Sequence, residues 1–163
     1  MDKKFYLALH DRVLGSPLLL GLVRGGTRLL PGIVYVSYPL MLLYLLIFSP
    51  HDLLRGVLVP LAGFLLCTVI RKGINAPRPY ESMGIPAVTP KETSGKSFPS
   101  RHAACGSVIA LTALFLIRPL GIALLVISLL IPLSRVLAGV HYIRDVLAGW
   151  ALGAIVGLVG MLI

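Results

Sequence analysis

Runs of close to 20 apolar residues, separated by short polar breaks, dominate this chain and leave few folds open to it. About 20 apolar residues in a helix cross the roughly 30 Å hydrocarbon core of a bilayer. Such runs fall at about 30–48, 53–71, 100–117, 120–138 and 144–162. Of the 163 residues 57% are hydrophobic, against about 45–50% in soluble domains, so lipid is the expected solvent. At that depth no water satisfies the backbone, and helices satisfy it internally. The sequence therefore predicts an all-α integral membrane bundle of about five transmembrane helices, folded as a single domain over 1–163.

The remaining segments are polar. Residues 1–29 mix Lys3, Lys4, Arg12, Arg24 and Arg28 with Phe5, Tyr6, Leu7, Leu14 and Leu18. They read as an N-terminal amphipathic segment in the interface, broken at Gly15-Ser16-Pro17 and again at Gly25-Gly26. A turn at Ser49-Pro50-His51-Asp52 reverses the chain. The proline-rich stretch 72–98 is the one long polar loop, and a loop of that length in a compact protein suggests an active-site element. Alternating the spans puts the N-terminal segment, this loop and the 135–144 turn on one side of the membrane. Thirteen of the 15 Lys and Arg gather there, leaving only Arg55 and Arg118 near the other side.

A net charge of +9 is high for so apolar a chain. Nucleic acid is excluded as the partner, because no basic helix or aromatic platform stands on a soluble domain. The lipid bilayer and a phosphorylated lipid are the expected partners instead. Cys67 and Cys105 lie inside apolar runs and read as buried free thiols. Charges through MDKKFYLALHDR argue against a cleavable signal peptide.

Three clusters carry chemistry. Arg71, Lys72 and Arg78 follow the second span, with Arg78 held between Pro77 and Pro79. Guanidinium groups bind phosphate oxygens bidentately and keep their charge, although cations at a helix C-terminus also answer its dipole. Pro99-Ser100-Arg101-His102 opens the third span, where free backbone N–H groups favour an anion. Ser134-Arg135 ends the fourth span, and His141 and Asp145 follow. Arg135 lies within an apolar run, which marks either a functional cation or one snorkelling to the headgroups. His141 and Asp145 are four apart and would share a helix face, so that the carboxylate holds one ring nitrogen and frees the other. No His, Cys, Asp or Glu spacing suits a metal, and no cofactor is expected.

These clusters resemble the three motifs of the type-2 phosphatidic acid phosphatase family, K-x6-R-P, P-S-G-H and S-R-x5-H-x3-D. The third matches in full at Ser134, Arg135, His141 and Asp145, and the resemblance spans about 71–145. It implies that His141 attacks phosphorus, Asp145 orients it, and His102 serves the leaving oxygen and then water. It further implies that Arg71, Arg78, Ser100 and Arg135 hold the phosphate. Three departures stand out: Arg71 replaces the motif lysine, with Lys72 adjacent; Arg101 replaces glycine; and the family's usual six helices number about five here.

The resemblance implies a metal-independent lipid phosphatase of the cell membrane. An undecaprenyl-type isoprenyl pyrophosphate is the expected substrate, with phosphatidate or phosphatidylglycerophosphate as the alternative. A small transporter or lipid-binding membrane protein using the same cations to hold an anion is the rival of another class. Excess Lys and Arg mark cytoplasmic loops, whereas the resemblance implies an extracytoplasmic site. The outer face is taken here, because phosphate binding accounts for several of the cations.

Overall fold

The computed structural model of the protein describes residues 3–84, 87–89 and 94–163. Among these, seven helices follow in order: α1 (Lys3–Leu14), α2 (Pro17–Phe48), α3 (Pro50–Ile74), α4 (Pro79–Met83), α5 (Arg101–Leu116), α6 (Arg118–Leu137) and α7 (Ile143–Leu162). Proline sits in the first turn of α2, α3, α4 and α6, where its missing N–H costs nothing. Ser16 caps α2 by accepting the N–H of Leu19 at 3.4 Å. Ser49 alone separates α2 from α3.

The break expected at Gly15-Ser16-Pro17 is present, but the one at Gly25-Gly26 is not. Residues 17–29 belong to α2, a single helix of 32 residues. Two helical glycines cost about 2 kcal/mol together, yet packing outweighs this. A Cβ on Gly26 would lie 3.6 Å from the Ser134 Cβ, an ordinary contact distance, so this stretch of α2 lies against α6. The predicted 72–98 loop is also more structured than expected. Lys72 lies in the last turn of α3, and α4 forms a further short helix. Ile85, Pro86 and residues 90–93 lie outside the described residues.

Among the described residues four helices are long and apolar enough to cross a membrane, namely α2, the helix beginning at Pro50, α6 and α7. The fifth expected span is α5, with 16 residues and a length of about 24 Å. Every residue from Ala103 to Ala113 is buried, so α5 is the axis of the bundle, packed against α3, α6 and α7. Exposed leucines and isoleucines on α2, α3, α6 and α7 face outward, as lipid contact requires. On α7, Gly149, Gly153 and Gly157 form a row against α5. A Cβ on Gly153 would stand 2.1 Å from the Ala104 carbonyl oxygen, so only glycine allows this separation.

This packing gathers α1, the start of α5 and the α6–α7 turn at one end of the bundle, the same side that span alternation predicts.

Candidate active site

All three sequence clusters meet at that end. Arg71, Arg78, Ser100, Arg135, His141 and Asp145 are each at most 9% exposed. Burying so many polar groups is costly unless each is bonded. The backbone pins the guanidinium groups: Arg71 donates to the Pro99 carbonyl at 2.8 Å, and Arg78 to Gly95 at 3.0 Å and Val140 at 3.2 Å. Arg78 is thereby tied to the residue before His141, and Arg71 to the residue before Ser100. Arg135 does not snorkel; it donates to the Thr27 carbonyl of α2 at 3.0 Å.

His141 does not lie on α7, which begins at Ile143, so the shared helix face expected for His141 and Asp145 is not what joins them. Asp145 Oδ2 stands 3.7 Å from His141 Nδ1, an ion-pair distance longer than a hydrogen bond. The Ser97 hydroxyl fills the interval. It donates to Asp145 Oδ2 and lies 3.3 Å from His141 Nδ1. Asp145 also accepts the Tyr142 N–H at 3.1 Å, fixing the start of α7. Both partners of His141 stand at Nδ1, which leaves Nε2 as the ring nitrogen not engaged by them. Burial pushes the imidazole pKa down to about 4; the Asp145 carboxylate opposes the shift and Arg78 adds to it. His141 is therefore neutral at pH 7.

His102 occupies the first turn of α5, half-buried, with its ring centroid 6.4 Å from that of Tyr35 on α2. Lys72 and Arg101 are exposed, and the Arg101 guanidinium lies 5.7 Å from the Phe64 ring centroid. Both line a cavity of about 250 Å³ together with Arg71, Arg78 and Lys96. No described acidic side chain lines it. Among the described residues no three His, Cys, Asp or Glu are grouped as metal ligands. Cys67 and Cys105 are buried free thiols, as expected.

Sequence reasoning missed Ser97, Lys96 and Tyr6. The Tyr6 hydroxyl accepts the Ile143 N–H at 3.0 Å, and its ring meets Tyr142 edge-on with centroids 5.6 Å apart. His10 packs against Gly139, whose φ of 71° and lack of a Cβ the contact requires. Tyr6, His10 and Val13 are the buried face of α1, so this helix braces the turn that carries His141. Their spacing of four and three was the available signal. For Ser97 the signal was weaker, a hydroxyl three residues before Ser100 in Ser-Phe-Pro-Ser.

The model of the PAP2 superfamily matches residues 52–163. Undecaprenyl-diphosphatase BcrC of Bacillus subtilis is 31% identical over 127 residues, 75% of this chain and 65% of that protein. Decaprenylphosphoryl-5-phosphoribose phosphatase of Mycobacterium tuberculosis is 37% identical over 98 residues, 58% of this chain and 51% of that one. The matches thus span less than two thirds of either relative. The crystal structure of Aquifex aeolicus LpxE superposes with a TM-score of 0.77 at 25% identity, covering 98% of this chain and 94% of that one. A Bacillus subtilis PAP2-type phosphatidylglycerolphosphate phosphatase gives the same TM-score at 24% identity over 97% of this chain and 83% of that one, a likeness of fold. The motif order, the bundle and the family match agree, and the chain is a multi-pass membrane protein belonging to the PAP2 superfamily.

Proposed function

We infer that this protein is a lipid phosphatase that transfers a terminal phosphate to His141 and then to water, without a metal. The observation that carries the reading is a set of buried donors awaiting an acceptor. Ser100 Oγ and Arg135 Nε are buried and have no protein partner. An unmet buried donor costs roughly 1–3 kcal/mol, which a bound phosphate oxygen would recover. They sit among guanidinium groups already aimed by backbone carbonyls, beside a neutral imidazole.

In this reading Nε2 of His141 attacks phosphorus as the bond to the leaving oxygen breaks, and His102 gives that oxygen a proton. Water, deprotonated by His102, then cleaves the phosphohistidine to inorganic phosphate. Arg71, Arg78, Arg135 and Ser100 hold the equatorial oxygens, and charge neutralisation of this kind is most of what phosphoryl transfer requires. Ser97 and Asp145 keep the proton on Nδ1. The best-supported substrate is a polyprenyl diphosphate of the undecaprenyl type, since both curated relatives named above act on polyprenyl lipids. Phosphatidate or phosphatidylglycerophosphate is the second reading.

Purified protein is expected to release phosphate from polyprenyl diphosphate in excess EDTA. Orthovanadate is expected to inhibit competitively, because its five-coordinate form mimics the transition state. Activity that vanishes with EDTA and returns with Mg²⁺ would overturn the metal-free mechanism.

The site is assigned to the outer face of the cell membrane. The assignment follows the family resemblance: Arg71, Arg78 and Arg135 are buried and do not count as headgroup cations, but ten of the 13 cations on this side remain. Ser94→Cys, at an exposed position beside the cavity, should react with a membrane-impermeant maleimide in intact cells. Labelling only after permeabilisation would put the site inside.

A further inference from the structure

The cationic cavity holds more charge and more room than one phosphate needs. A phosphate's four oxygens, each about the size of a water at about 30 Å³, fill roughly half of its 250 Å³. Among the described residues five cations line it, and they divide into two groups. Arg71 and Arg78 are buried and pinned by carbonyls close to Ser100 and His141. Lys72, Lys96 and Arg101 are exposed and form the remaining cationic lining. A single phosphate monoester carries at most two negative charges, and no described acidic side chain lines the cavity to answer the second group.

Lys96 is held there by the backbone. Gly95 and Lys96 both lie in the left-handed region, at φ 67° and 53°. For lysine that conformation is uncommon, and it persists where surrounding structure imposes it. Both carboxylate oxygens of Glu81 accept the Gly95 N–H, at 2.8 and 3.1 Å, and Arg78 Nε donates to the Gly95 carbonyl. A Cβ on Gly95 would stand 2.6 Å from Asn75 Oδ1, so the turn is also closed from below.

Arg101 marks the next boundary. Its guanidinium lies against Phe64, and Phe64 lines a second cavity of about 290 Å³ between α2, α3 and α5. That groove is walled almost wholly by apolar side chains, including Leu61, Val108 and Ile109. Arg78, which donates to the carbonyl before His141, thus shares the cationic cavity with the three exposed cations, and Phe64 beside Arg101 opens onto the apolar groove.

We propose that Lys72, Lys96 and Arg101 form a second anion subsite, which holds the lipid-proximal phosphate of a lipid diphosphate while its hydrocarbon chain enters the α2–α3–α5 groove. The proposal rests on the phosphatase reading and deepens it. As the Nε2–P bond forms, the bridging P–O bond breaks and its electrons remain on the departing lipid monophosphate. The charge that develops there falls beside Lys96 and Arg101, and His102 supplies the proton.

The test compares polyprenyl diphosphate with polyprenyl monophosphate of the same chain length, using purified Lys96→Met and Arg101→Gln proteins. Losing one charge-assisted hydrogen bond is worth roughly tenfold to a hundredfold. The ratio of kcat/KM on diphosphate to that on monophosphate should fall by that factor in each variant and recover in Lys96→Arg. A ratio that stays within about threefold, or equal losses on both substrates, overturns the subsite. In a second arm that needs no variant, a non-hydrolysable prenyl bisphosphonate should inhibit the wild-type protein at least about tenfold better than the prenyl monophosphonate; equal inhibition also overturns it. Wild-type protein that releases phosphate from neither substrate would instead refute the phosphatase reading itself.

Discussion

The His141→Ala protein is expected to lose activity by on the order of 10⁴-fold or more and to form no phosphoenzyme. Removing a nucleophile from a covalent mechanism removes both half-reactions together. The remaining guanidiniums would still bind phosphate, so substrate should still protect the variant from heat. Asp145→Asn should cost almost as much, because an amide can no longer hold the Nδ1 proton and leave Nε2 free. Ser97→Ala should cost less, roughly tenfold to a hundredfold, since it removes the hydroxyl that spans the 3.7 Å between Asp145 and His141 but leaves the carboxylate. Rapid acid quench with labelled substrate reads each step. Label trapped on the His141→Ala protein would remove His141 from the nucleophile's place.

The second large effect belongs to His102. His102→Ala is expected to slow hydrolysis of a lipid substrate by roughly 10²–10⁴-fold, the usual range for a general acid. A substrate with an aryl leaving group, which needs no proton, should lose far less and still form phosphoenzyme. The two histidines also predict the pH profile. His141 must be neutral, and burial holds its pKa down to about 4, so kcat/KM should rise as pH increases through that value. His102 must carry a proton, so the profile falls again at higher pH where that proton is lost. In His102→Ala the alkaline limb should vanish while the acid limb remains. An acid limb near the ordinary imidazole value would show that His141 is more solvated than the structure has it.

The span pattern was legible because apolar length is a local property, and the three clusters because motif spacing survives in one dimension. The limits of that legibility are equally physical. Gly25 and Gly26 read as a break since their cost is local, while the α6 surface that overrides it lies over 100 residues away in the chain. Ser97 and Tyr6 escaped notice because their partners, Asp145 and Ile143, are distant in sequence. Arg135 was ambiguous between headgroup and core until its hydrogen bond to Thr27 was visible. Arg101 stood out as a departure from a family pattern, whereas Lys96 beside the same cavity was not singled out.

The short central helix also sets the depth at which this chemistry occurs. Leu116 ends α5 and Arg118 begins α6, so this cation marks the far interface. Arg101 begins α5, and its 16 residues rise only about 24 Å, some 6 Å less than a typical hydrocarbon thickness. Any tilt shortens the rise further. The outward-facing α6 and α7 have 20 residues each and rise about 30 Å, so a site at the head of the shorter, buried α5 is set inward of the headgroup plane. On the phosphatase reading, a lipid phosphate would reach His141 by drifting sideways and slightly inward, with its chain never leaving the hydrocarbon. Bilayer thickness then becomes a control on turnover: lipids with longer acyl chains would lift substrate phosphates away from the cradle, and thinner membranes would bring them level with it.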